Sequence, residues 1–197
     1  MKQCGAGKVD RGNDPLEAVV DAYLRTNAAA QAVYLDYYRR QPSLELAVEK
    51  AAMAAMPDGS RFCHQVMVKI PAMKLARGKL GLIDFNRLGL RSFAELLDRV
   101  RREILPISGI GPLTVYDTAH RLGAYLGLRP EKVYIHAGVK YGVLALGINA
   151  ARQSVEMTEL PPAFKRLTPE QAEDCLCIYA SELRWAAREC WNLGGGS

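Results

Sequence analysis

Ile107-Ser108-Gly109-Ile110-Gly111-Pro112-Leu113-Thr114 joins two segments of helical periodicity, and its reading decides the fold. On its N-terminal side Ser92 stands as an N-cap, Glu95 is placed to complete a capping box, and Phe93, Leu96, Leu97, Val100 and Ile104 recur on one face. On its C-terminal side a second periodic segment runs from Leu113 to Leu126. Glycine permits positive φ and carries no side chain. The amides of this turn and of the following helix start can therefore face an anion with the helix dipole behind them. Ile110 is placed to insert between the two helices and set their angle, and Thr114 to cap the second or touch the anion.

Outward from the turn, the same signals repeat. Asp14 followed by Pro15 opens a helix with Leu16, Val19, Val20, Tyr23 and Leu24 at helical spacing, expected to run to about Arg40. Pro42-Ser43 restarts a helix over Leu44 to Met56, and Pro57-Asp58-Gly59 stops it. Pro71 to Lys79 reads as helical, with Gly78 and Gly81 loosening the chain after it. Thr168-Pro169-Glu170-Gln171 carries a cap, a first-turn proline and a reciprocal glutamine. Beyond it, Leu176, Tyr179, Leu183 and Ala186 form a core stripe. Alternating strand patterns are nearly absent, apart from a short extended piece around Val133 to Ile135. The expectation is an all-α chain, a compact multi-helix domain. Residues 1–13 form a flexible lead-in, 14–192 a single helical domain with its central hairpin over about 92–127, and 193–197 a linker or tag remnant.

At 197 residues, with 49% hydrophobic and 24% charged side chains, the chain has the composition of a soluble globular protein long enough to bury a core without metal or disulfide. Its formal charge of +5 is uneven. Residues 61–140 hold 14 basic and 6 acidic side chains, whereas the flanking segments are each slightly acidic. A local positive field of this kind suits a polyanion. Five cysteines without CxxC spacing, and no secretory signal, lead to the expectation of reduced thiols in the cytoplasm. The apolar runs are too short and too glycine-interrupted to span a bilayer, so no membrane partner is expected.

The pattern hydrophobic-x-Gly109-hydrophobic-Gly111 between two amphipathic helices resembles a helix-hairpin-helix, a motif that binds the DNA backbone. The likeness over Leu105 to Leu146 is to the helix-hairpin-helix base-excision DNA glycosylases. That resemblance implies an all-helical fold and phosphate contacts through Ser108, Gly109, Ile110, Gly111, Leu113 and Thr114. By their own charge Arg99, Arg101, Arg102 and Arg121 are candidate auxiliary phosphate ligands, and His136 and Lys140 in the segment beyond are further candidates. The family's catalytic lysine and aspartate are missing, since Leu113 and His136 stand near those positions. An imidazole does not replace a carboxylate beside an oxocarbenium-like transition state. The chain is therefore expected to bind DNA non-specifically without catalysis. A diverged glycosylase or abasic-site enzyme, using His136, Asp117 or Glu131, is one alternative. A subunit that meets a protein partner through its C-terminal helix is another. The stretch from hairpin to C-terminus also resembles small bacterial proteins, a likeness that carries no activity.

Other candidates have plainer readings. Gly5-Ala6-Gly7-Lys8 lacks the upstream glycine and the following Ser or Thr of a phosphate loop. Tyr34, Tyr37 and Tyr38 before Arg39 and Arg40 can stack on bases, but one-turn spacing favours packing. Trp185 and Trp191 read as anchors of the last helix. Asp117 and His120 read as a local polar pair. His64, His120 and the cysteines form no metal-ligand spacing, and neither a metal nor a cofactor is expected.

Overall fold

The computed structural model describes residues 5–10, 14–61 and 65–194, with side chains described through Glu189. Cys4, Cys63, His64, residues 11–13 and residues 195–197 lie outside the described residues, as do the side chains of Cys190 and Trp191. Among the described residues the fold is all-α, with nine α-helices and two two-residue strands. No helix is long and apolar enough to cross a membrane. The chain forms two compact units: Gln3–Gln31 with Glu131–Ser197, and Ala32–Pro130.

The first unit holds α1 (Pro15–Thr26), the opening turn of α2 (Ala28–Arg39), β1 (Val133–Tyr134), α7 (Ala137–Ala145), β2 (Ser154–Val155), α8 (Pro169–Ile178) and α9 (Ala180–Gly194). Asp14 accepts from the amides of Leu16 and Glu17, and Pro15 fills the first turn, so α1 starts where the sequence says. Thr168 and Gln171 form the expected reciprocal box at the start of α8. The strands pair antiparallel, Val133 with Val155 and Tyr134 with Ser154, and this is the extended piece expected near residue 133. Val19, Tyr23, Val139, Val143, Leu176 and Leu183 are among the fully buried side chains of its core.

Two expected long helices are broken. The helix expected from Asp14 to Arg40 is interrupted at Asn27, and the one opened by Thr168 at Tyr179. One contact joins the two breaks: the Tyr179 hydroxyl donates to Asn27 Oδ1 at 2.9 Å, and both residues are buried. The same hydroxyl accepts from the Gly7 amide at 2.7 Å, and Val9 packs on the core. Over residues 5–10 the expected lead-in is thus tied down.

The second unit holds the rest of α2, then α3 (Leu44–Ala52), α4 (Ile70–Gly81), α5 (Phe93–Ile104) and α6 (Pro112–Leu126). Helix α3 stops at Ala52, short of the expected Met56. Ala54 takes a positive φ of 51°, and Met56 instead accepts and donates in the turn to Gly59 and Ser60. Helix α4 runs through Gly78 and Gly81. At α5 the box is incomplete: Ser92 caps the Glu95 amide, but the Glu95 carboxylate accepts from Arg91 N. Phe93, Leu96, Leu97, Val100 and Ile104 are buried as the periodicity requires.

Helices α7 and α8 pack so closely that a Cβ on Gly142 would overlap the carbonyl of Leu176. Gly142→Ala is expected to lower unfolding stability by about 1–3 kcal/mol, the usual cost of overpacking. Gly78→Ala, inside α4 with open space around it, is expected to raise stability by about 0.5–1 kcal/mol, because alanine loses less backbone entropy in a helix. Urea denaturation of the two variants checks both signs.

Candidate nucleic-acid interface

Helix α5 ends by tightening, with Leu105 N bonded to Arg101 O and Ile107 N to Ile104 O at 3.0 Å each. The chain then turns through Ser108 and Gly109, where φ is +89°, and Ile110 N closes the turn on Ile107 O at 3.0 Å. Ile107 and Ile110 are buried and hold the turn to the core, while Ser108, Gly109 and Pro112 are exposed. Gly111 is the N-cap of α6 in extended backbone and supplies no side-chain cap. Leu113 is half-buried and Thr114 buried, so Thr114 faces inward and not toward an external anion.

The turn lies against the first turn of α4: a Cβ on Gly109 would stand 4.0 Å from that of Ala72. Lys69 stands at the N-cap position of α4 without a side-chain capping bond and, like Lys74, is exposed. The helix also carries Arg77 and Lys79 and has no acidic residue. From Gly59 to Ile83 the chain has five basic side chains and no carboxylate. Within the basic zone of residues 61–140, the expected basic phosphate ligands Arg99, Arg101, Arg102, Arg121 and Lys140 include none on α4. The acid-free run was the available signal for α4. On α5 the charges are largely balanced, because Arg99 pairs with Glu103 at 3.0 Å and Arg102 with Asp98 at 3.3 Å, while Arg101 is half-buried.

Before α4, Arg61 gathers the carbonyls of Val68 at 3.0 Å, Val66 at 3.4 Å and Gln65 at 3.5 Å. This pins a tight turn whose tip, Val66 and Met67, is exposed. The Gln65 side chain points the other way, into the interior.

Arg121 is a correction to the expected phosphate ligands. It is 1% exposed, so no phosphate reaches it. Its Nε donates to the Tyr34 hydroxyl at 2.6 Å, and one terminal nitrogen donates to Gln65 Oε1 at 3.0 Å and the Ala51 carbonyl at 3.4 Å. The other pairs with Asp117 Oδ2 at 3.4 Å. Burial works against the guanidinium charge, but Tyr34, Tyr38 and Asp117 outweigh it and hold the pKa above its ordinary value. Asp117 accepts from Gln65 and pairs with Arg121. The His120 ring packs on Tyr116 and Phe93. Tyr34 and Tyr38 are buried edge to face, the packing arrangement expected for them, and burial raises the Tyr38 phenol well above its usual range.

His136 and Lys140 belong to the other unit. His136 is buried with its Nε2 2.6 Å from Glu173 Oε1, which removes it from the expected phosphate ligands. Lys140 is exposed on α7. Next to Glu173, Asp174 accepts from the Tyr23 hydroxyl at 3.2 Å, and burial followed by Asp174 lifts the Tyr23 pKa far above normal. Glu131 is exposed in a bend before β1 and opens no helix. Burial, then Asp174, also pushes the Cys175 thiol up, which leaves it unreactive as a nucleophile. Among the described residues no group of three or more His, Cys, Asp or Glu side chains is placed to hold a metal ion.

Arg121→Met leaves Asp117 as a carboxylate without its cation, and is expected to cost about 3–5 kcal/mol of stability. Arg102→Ala, which breaks only an exposed pair, is expected to change it by less than about 1 kcal/mol. Denaturation midpoints separate the two. Comparison of the chain with protein-family models, with curated proteins and with solved structures gives no match.

Proposed function

We propose that the Ala32–Pro130 unit binds duplex DNA through its phosphate backbone, with little base readout and without catalysis. The observation that carries this reading is the exposed Gly109 turn. Gly109 itself carries no side chain, the turn leads into a helix start with no side-chain cap, and it packs against Ala72 in the first turn of α4, a helix preceded by Lys69 and carrying Lys74. A helix start offers amide donors and the positive end of a dipole to a phosphate. Lys69 and Lys74 then supply mobile positive charge, which binds phosphate with little regard to sequence. The turn and α4 are the primary contacts, and Arg101 and the paired arginines of α5 are secondary. The reading places the protein in the cytoplasm, where Cys175 and Cys177 stay reduced.

Fluorescence anisotropy with a 20-base-pair duplex, its single strand and an abasic duplex, each at 50 and 200 mM salt, tests this. Duplex affinity is expected to fall steeply with salt. Lys69→Glu with Lys74→Glu is expected to weaken binding at least about tenfold and to flatten the logarithmic salt slope by about 2, near 0.9 for each lost phosphate contact. Gly109→Val is expected to weaken binding while helicity by circular dichroism is retained. Affinity unchanged in both folded variants would overturn the reading. Base release or strand cleavage at the abasic site would overturn the non-catalytic part of it.

A further inference from the structure

The Gln3–Gln31 and Glu131–Ser197 unit carries a second surface feature that DNA binding does not use. A groove of about 980 Å³ opens between α7 and α9, with Cys177 and Ile178 of α8 in its floor. Helix α9 presents Ala180, Ser181, Arg184, Ala187 and Arg188 to it, positions that share one helical face over about two turns. Neither Glu182 nor Glu189 lines the groove, although the Glu182 carboxylate accepts from the Ser181 hydroxyl at its edge, so the charged groups of the lining are the two guanidiniums. Arg184 and Arg188 are both exposed, and neither forms an ion pair with a described residue.

The facing wall comes from α7. Gly138 and Ala145 keep it low, and Tyr141 and Leu144 stand on it 70% and 57% exposed. Large apolar side chains left open beside two guanidiniums that have no ion pair among the described residues call for an occupant that is apolar on one side and anionic at its edge. A small amphiphile fits less well, because ligand pockets enclose most of what they bind and this wall stands in solvent. A phosphate backbone gains nothing from an apolar floor. A helix laid along the groove meets both demands: apolar side chains at i, i+3 or i+4, and i+7 reach the floor, while glutamates or aspartates on its flank reach Arg184 and Arg188.

We infer that the α7–α9 groove is a docking site for an acidic amphipathic helix of a partner protein. The site belongs to the unit that the proposed DNA interface does not include, so the two can fail separately.

The test is selection of a displayed random library of 16-residue peptides on the full-length chain. The enriched peptides are then titrated by anisotropy against wild type, Arg184→Glu with Arg188→Glu, and Leu144→Asp. The expected result is enrichment of peptides with helical apolar spacing and flanking Glu or Asp. Binding is expected to weaken at least tenfold in each variant, and a Glu-to-Lys version of the best peptide to recover affinity for the charge-reversed protein. Duplex affinity of the charge-reversed protein is expected to remain at the wild-type value. No enrichment, enrichment without acidic residues, or binding indifferent to both variants overturns the inference. Light scattering that shows a dimer dispersed by Leu144→Asp also overturns it, in favour of a second copy of this chain in the groove.

Discussion

The buried guanidinium of Arg121 is the constraint on which the Ala32–Pro130 unit depends. A cation removed from water must be surrounded by acceptors, and those present come from four separate stretches of chain: Tyr34 on α2, Ala51 on α3, Gln65 before α4, and Asp117 on α6 itself. None of these bonds is local except the one to Asp117, one turn away. The cluster therefore fixes where α2, α3 and the approach to α4 stand relative to α6. Through Gln65 it also places the base of the turn that Arg61 holds from outside. The exposed turn at Gly109 leads into the helix that carries this buried charge. The start of α6 and the start of α4 are both anchored within a few residues of it.

Helix starts were legible because they are written in adjacent residues. Asp14-Pro15, Ser43, Ser92 and Thr168-Pro169 each satisfy amides within three positions, and all four stand where the sequence places them. Helix ends and breaks were not. Asn27 and Tyr179 interrupt otherwise continuous apolar periodicity because each satisfies the other's polar group across 152 residues of sequence, and no local pattern encodes a partner so distant. Glu95 illustrates a smaller version of this: its spacing from Ser92 is right, but the Arg91 amide takes its carboxylate.

For the candidate interface, the turn itself was readable from Gly109 and Gly111, since glycine at a helix junction has a backbone meaning. The identity of the charged residues beside it was not. Arginine serves in surface ion pairs, on binding faces and, more rarely and when paired, in interiors. Arg99, Arg102 and Arg121 look alike in the sequence although two are paired along a helix and one is sealed in the core. What distinguishes α4 is a property of a run, the lack of any carboxylate from Gly59 to Ile83, and this is visible without a structure once charge is counted over a window.

The division of the chain has a consequence for synthesis. Ala32–Pro130 is one uninterrupted stretch, whereas the other unit is assembled from segments on either side of it. A ribosome that has released Pro130 has supplied every residue of the inserted unit, but α1 by then has met none of α7, α8 or α9. Its apolar side chains Val19, Val20 and Tyr23 must wait for the last third of the chain. The inserted unit is free to fold first and, once folded, shortens the gap between Gln31 and Glu131 from a long flexible loop to a fixed span. That lowers the entropy of closing the second unit.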